Sequence, residues 1–118
     1  MAELVRSSEV KERYEVKEGA QGVVYKTLYG RDNSDRLLSA TLINLEPGGK
    51  TKNHNHKPHH VHYVISGKGL LVCGDEGKEI SISAGDATYI TAWEQHYFKN
   101  NGNEHLLLLA VRGPLEKE

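Results

Sequence analysis

At 118 residues, the chain has room for one domain and one core. Fifteen basic and 16 acidic residues give a formal net charge of −1, so nucleic acid, which needs a basic surplus on some face, is not an expected partner. A single cysteine, Cys73, excludes an internal disulfide and reads as a small core residue. The longest apolar run, "LLLLAV" at 106–111, is too short to span a bilayer, and "MAELVRSSEV" lacks the apolar centre of a signal peptide. No membrane partner is expected, and the chain reads as a cytoplasmic protein.

Residues 1–20 are polar and weakly periodic, an arm or an added strand that contains the strand-capable pieces "ELV" and "RYEVK". A barrel domain is expected over 21–112 and a charged tail over 113–118. "GVVYKTLYG" (22–30) is β-branched and aromatic between glycines and predicts a strand; "RDNSDR" (31–36) is a turn cluster. "LLSATLINLE" (37–46) predicts a second strand that Pro47-Gly48-Gly49 should end sharply. "HVHYVIS" (60–66) and "GLLVC" (69–73) have period two, and "GDEG" (74–77) makes a hairpin turn to "KEISIS" (78–83). After the turn "AGD" come "ATYIT" (87–91), "HYFKN" (96–100) and "HLLLLAVR" (105–112), the last pair joined by "NGNE". Strands every eight to twelve residues with turn signals between them predict an all-β sandwich or barrel, and no stretch predicts a helix.

Five histidines fall in "HNHKPHHVHYV" (54–64): His54, His56, His59, His60 and His62. A strand places residues i and i+2 on one face roughly 7 Å apart. His54 therefore shares a face with His56, and His60 with His62 and Val64, while His59 and Val61 point the other way. Two imidazoles at i and i+2 can grip one cation, and imidazole is the commonest metal ligand. A lone strand histidine is more often hydrogen-bonded or solvated, which is the reading for His59 and His105. His62 reads as pocket lining. His96 stands apart, in a strand-like segment beside a turn.

"GGKTKNHNHKPHHVHYVISG" resembles the first motif of the cupins, G-x5-H-x-H-x3-4-E-x6-G, running from Gly48 through His54 and His56 to Gly67. "GDATYITAWEQHYFKN" resembles the second, G-x5-P-x-G-x2-H-x3-N, from Gly85 through His96 to Asn100. The resemblance implies a double-stranded β-helix, the cupin jelly-roll barrel. Three positions depart from it: His60 stands where the glutamate is usual, Thr91 at the proline and Trp93 at the glycine. The first departure implies a four-histidine set, His54, His56, His60 and His96, similar to small manganese-containing monocupins. One divalent transition metal is then expected, manganese or iron, with nickel, copper or zinc able to occupy the site because intrinsic affinity rises along that series. Four neutral ligands leave the full charge on the ion and favour anionic or oxygen-donor partners.

The pocket above the metal is expected to draw on His62, Phe98, Leu107 and Leu109, and on Trp93, either as a lid or, preferably, as a packed aromatic. No group of arginines or lysines is visible in the sequence around that pocket, which weighs against a multiply anionic substrate. The expected function is a metal-dependent enzyme of oxygenase type on a small molecule. The alternatives are a Lewis-acid isomerase or lyase acting on a sugar or keto acid, and a non-catalytic module that senses a ligand or metal. No side chain reads as a general acid or base. A single barrel has sheet edges to cover, so a two-fold homodimer is expected, with residues 1–20 packed on the neighbouring barrel.

Overall fold

Alternation is what makes this chain a set of strands. Along His59–Ser66, His60, His62 and Val64 are buried while His59, Val61, Tyr63 and Ile65 are exposed. Along Leu106–Gly113, Leu106, Leu108 and Ala110 are buried. A period of two fits only the pleated backbone, with one face in the core.

The structure, a computed structural model, describes residues 2–15, 18–30 and 37–114. The turn expected at 31–36, residues 16–17 of "RYEVK" and residues 115–118 of the expected tail lie outside the described residues. The strands are β1 (Arg13–Tyr14), β2 (Gln21–Tyr29), β3 (Ser39–Lys50), β4 (His59–Ser66), β5 (Lys68–Cys73), β6 (Lys78–Ser83), β7 (Ala87–Ile90), β8 (His96–Lys99) and β9 (Leu106–Gly113). The one helical element among the described residues is a 3-10 turn at Ser7–Glu9. The strands form a curled antiparallel sheet in the order β6-β5-β8-β3-β9-β4-β7, with β2 on β3 and β1 on β2. This is the all-β barrel that the alternation and turn spacing predict.

Pro47-Gly48-Gly49 does not end a strand as expected. β3 runs through it to Lys50. Leu45 pairs with Val23 and Lys50 with Gln21, so the extra residues bulge out of the ladder. Gly48 takes a φ of +81°, and a side chain on Gly49 would meet the carbonyl oxygens of Gly22 and Glu46 at 2.7 and 2.8 Å. The bulge hands β3 from one partner to another: residues 39–45 pair with β9, and Lys50 pairs with Lys99 of β8. Asn100, fully buried, fastens it. Its side-chain amide donates to the carbonyls of Leu45 (3.0 Å) and Glu104 (2.7 Å), and its backbone N–H donates to Gly49 (2.8 Å).

The barrel interior changes character along each strand. At one end Leu45, Val64, Leu106 and Leu108 are fully enclosed, with Ile43 and Phe98 beside them. Moving inward-facing position by position toward the other end, β3 reads Ile43, Thr41, Ser39 and β9 reads Leu108, Ala110, Arg112. In the same direction β4 reads Val64, His62, His60, and β8 reads Phe98, His96. The strand register sets Ser39, Arg112 and His60 in one row across β3, β9 and β4, with Thr41, Ala110 and His62 in the next.

The inward face of β9 is thus the opposite of the one expected. Leu107 and Leu109 point to the outside of the barrel, Leu109 beside its exposed register partner Tyr63 on β4. Residues Arg13 and Tyr14 of the arm pair with Tyr25 and Val24 of their own chain. No helix among the described residues is long and apolar enough to cross a membrane.

Candidate metal centre

The segment that carries His54 and His56 is not a strand, yet it is held tightly against β8. His54 and His96 exchange both backbone hydrogen bonds, 3.1 and 3.0 Å. Thr51 accepts the Phe98 N–H on its buried hydroxyl at 2.9 Å, and the Thr51 N–H donates to the Phe98 carbonyl at 2.9 Å. Gln95 bridges the two segments, accepting from Asn55 at 3.0 Å and donating to Asn53 at 3.1 Å. The Trp93 N–H donates to the His56 carbonyl at 2.8 Å. The two histidine-bearing segments are fastened to each other before any ligand is considered.

These ties bring three imidazoles to one point. One ring nitrogen from each of His54, His56 and His96 lies within 4.8 Å of the others. Each ring also meets a backbone carbonyl through Nδ1: His54 with Lys52, His56 with Pro58 at 3.3 Å, His96 with Glu94 at 2.8 Å. A carbonyl can only accept, so in the neutral ring Nδ1 carries the proton and Nε2 keeps its lone pair. Nε2 of His56 is buried with no hydrogen-bond partner. A buried acceptor left without a donor is costly, and a metal ion is the group that an imidazole lone pair in this setting suits. The donor set, neutral nitrogens of fixed orientation, fits a divalent transition metal.

His60 stands beside this trio without belonging to its tight cluster. Its ring centre is 3.8 Å from that of His56 and 5.7 Å from that of His96, and its buried Nδ1 has no partner. His62 lies one row deeper, parallel to His60 at 5.3 Å and edge-on to Phe98 at 4.6 Å. His59 faces outward, with Nδ1 2.9 Å from the Tyr89 hydroxyl. His105 is exposed, with Nδ1 3.3 Å from the Asn44 side-chain oxygen.

Burial depresses the basicity of the enclosed rings. His56 falls to about 4, His62 to about 3 and His60 to about 2, in each case chiefly because the charged form loses its hydration. Neighbouring histidines add to the push, as does Arg112 for His56 and His60. His96 is lowered by burial too, with its bond to the Glu94 carbonyl acting against the shift. These four are neutral at pH 7, the form that binds metal.

The histidines open into a cavity of about 500 Å³. His62, Phe98, Thr41 and Ala110 line its deeper part. Leu107, Leu109 and Trp93 are not among its lining residues. The leucines face the opposite side of β9. Trp93 is neither lid nor packed aromatic but 62% exposed, at a φ of +66°. That is the left-handed conformation a glycine would adopt without strain, so the turn keeps the motif's backbone shape with a different residue. The Glu94 carboxylate accepts from the Thr91 N–H and hydroxyl, both at 3.2 Å, and closes the same turn.

The expectation that no group of arginines or lysines lines the pocket is overturned. Arg13, Lys52 and Arg112 all line the cavity, with Glu15 as the one carboxylate. They stand far apart in sequence, and three different pairings bring them together. β1 lays Arg13 over the Tyr25 ring at 5.4 Å, with a hydrogen bond to Thr27 at 2.8 Å. Lys52 rides on the histidine segment. Arg112, near the end of β9, pairs with His60. Tyr25, in the same wall, keeps its phenolic proton, since burial and then Glu15 raise its pKa to about 12.

Comparison with known proteins agrees with this geometry. The chain is 34% identical over 114 residues to an oxalate-binding protein of Thermotoga maritima, covering 92% of this chain and 91% of that one. A solved structure from the same organism, described as a predicted oxalate decarboxylase, is 29% identical. Its TM-score is 0.83, over 96% of this chain and all of that one (100%). The polyketide cyclase RemF of Streptomyces resistomycificus is 25% identical, with a TM-score of 0.84 over 98% of this chain and 81% of that one. The family model for the cupin domain matches residues 41–112, from Thr41 near the start of β3 to Arg112 of β9. With both histidine motifs inside that span and the barrel around them, the chain belongs to the cupin family.

Proposed function

We propose that this cupin is a metal-dependent enzyme of oxygenase type, acting on a small oxygen-donor molecule at an ion held by His54, His56, His60 and His96. The observation that carries the reading is the trio of His54, His56 and His96, which line the cavity with one ring nitrogen each within 4.8 Å of the others. Manganese or iron, when bound, would supply a Lewis acid and open coordination positions for substrate and dioxygen.

The chain's own residues do the rest. The carbonyls of Lys52, Pro58 and Glu94 fix the rings and their tautomers. Phe98 and Ala110 close the deep end to water, and His62 offers a neutral polar contact there. The cations at the rim draw in a negatively charged molecule. Oxygen uptake by protein loaded with manganese or iron, against metal-free protein, over a panel of small carboxylates and keto acids, tests the reading. Metal-dependent consumption is the expected result. Turnover of a keto acid or sugar without oxygen uptake would move the assignment to Lewis-acid chemistry.

A second reading, binding without turnover, is favoured by one observation. Glu94, the carboxylate nearest to His96 in sequence, is taken up by Thr91 and so is not poised to move a proton. The relative named as oxalate-binding agrees with it. Tight oxalate binding with no product would decide for this reading.

The same proposal has the protein in the cytoplasm as a homodimer. Although Arg13 and Tyr14 pair with their own β2, the proposed contact with the neighbouring barrel is made by residues 1–20. Sedimentation of a chain lacking those residues tests it, with dissociation to monomer as the expected result.

A further inference from the structure

Four of the five histidines that line the cavity belong to the proposed metal site, and His62 does not. It stands one row deeper, its ring centre 5.3 Å from that of His60 and 6.2 Å from that of His96. The side chain is enclosed, 3% exposed. Its Nδ1 is buried with no hydrogen-bond partner, which leaves Nε2 as the nitrogen able to meet a ligand in the cavity. The register neighbours of His62 do not supply what is missing. Ala110 has no polar side chain, and the Thr88 hydroxyl is itself buried without a partner. Enclosing an imidazole without satisfying it is costly. A residue serving only the core would be apolar here, as Phe98 is, edge-on to the ring at 4.6 Å.

The cavity's histidines differ in what they offer. In His54, His56 and His96 a backbone carbonyl holds Nδ1, so Nε2 keeps a lone pair. Nothing holds Nδ1 of His62 in this way. A neutral ring carries one proton, and buried N–H groups without an acceptor are rarer in proteins than buried acceptors without a donor. The favoured tautomer of His62 therefore has a bare Nδ1 and its proton on Nε2. A charged ring would donate from Nε2 as well. The trio thus presents lone pairs, and His62 presents a donor. We propose that His62 is a ligand-binding residue: it donates from Nε2 to an oxygen of the molecule held on the ion, and so selects small carboxylates with an acceptor oxygen turned to the deep end of the cavity, such as dicarboxylates, keto acids and hydroxy acids. This role rests on the metal-site reading above and adds to it the contact that orients the ligand.

Two measurements test it. Long-range proton–nitrogen correlation spectra of the metal-free, full-length protein at pH 7 read the tautomer of each ring. His62 should carry its proton on Nε2, and His54, His56 and His96 on Nδ1. Protein loaded with one manganese ion per chain is then titrated calorimetrically with oxalate, pyruvate and glycolate. The wild type should bind at least one of them. His62→Phe should weaken that probe about tenfold or more, the size of a lost hydrogen bond to a charged acceptor. His62→Gln, whose amide can still donate, should recover it to within about threefold of wild type. Manganese affinity should be equal in all three proteins.

A proton on Nδ1 of His62 overturns the proposal, as does a wild type that binds manganese and none of the three probes, or unchanged affinity in His62→Phe. Equal weakening in the Phe and Gln variants overturns it too, because the effect would then be one of packing. Lower manganese affinity in both variants does the same, because His62 would then serve the ion. Failure of the wild type to bind manganese at all is a different result, seen before any acid is added. It removes the metal-site reading itself, and with it the ligand role that rests on it.

Discussion

The two ends of the barrel interior are built by the same strands and do different work. At the closed end β3, β4 and β9 present Leu45, Val64, Leu106 and Leu108, all without exposed surface. At the open end the same strands present Ser39, His60 and Arg112, joined by His54, His56 and His96. Backbone geometry is continuous from one end to the other. What changes is the chemistry of each inward-facing side chain, from one that stabilises by leaving water to one that loses hydration when the fold encloses it. The comparison teaches that stability and chemistry are separable here. A substitution at the closed end should unfold the protein, and one at the open end should disable it while leaving it folded.

The largest expected effect is at the open end. His56→Ala and His96→Ala should each lower bound manganese from one ion per chain by about tenfold or more, read by elemental analysis after dialysis. His60→Ala should lose most of the metal too, while His59→Ala, on the outer face, should keep it. Equal retention in the His60 and His59 variants would remove His60 from the ligand set. At the closed end, Leu108→Ala should cost about 2–5 kcal/mol in urea denaturation, with metal content per folded molecule unchanged. Leu107→Ala, on the outer face of the same strand, should cost clearly less. A closed-end variant that stayed folded and lost metal would break the separation.

Acid should weaken the metal-free protein through the histidines of the open end. His56, His60 and His62 have folded-state pKa values below the ordinary 6.5. They are neutral in the fold while the unfolded chain binds protons. The stability present above pH 6.5 is therefore lost as pH falls through about 4 and below. The urea midpoint of metal-free protein should drop between pH 7 and 4, and His62→Phe should flatten that slope. The smallest effect concerns the turn that clamps His56. Trp93→Gly removes a left-handed non-glycine residue and should stabilise by up to about 1 kcal/mol, leaving metal content unaltered.

Much of the open end was legible in the sequence, because its anchors are close in number and fixed in spacing. His54 and His56 are two apart, and the first motif fixes their distance to Gly67. His60 and His62 follow from the parity of β4, where they share a face with Val64. Parity failed in β9 because Leu106 to Leu109 are the same residue, so either face reads alike. The pairing with β3 and β4 picks the face, and pairing is not a local signal. Arg13 and Arg112 were invisible as pocket residues for the same reason: 99 positions separate them (112 − 13), and strand order alone brings both to the cavity. Pro47-Gly48-Gly49 carries the composition of a turn, and composition does not distinguish a turn from a bulge at which a strand changes partner. Trp93 was misjudged from residue type: a large aromatic usually packs, but here the backbone conformation and its N–H to His56 are what the turn uses.

Anomalous diffraction from a crystal of the manganese-loaded protein, collected to give the metal's own signal, tests the separation of the two ends most directly. The expected map has one peak per chain, within bonding distance of a ring nitrogen of His54, His56, His60 and His96, with nothing at the closed end. A map without that peak, or with manganese on outward-facing His59 or His105, would contradict the proposal that the open end of this barrel is a metal centre.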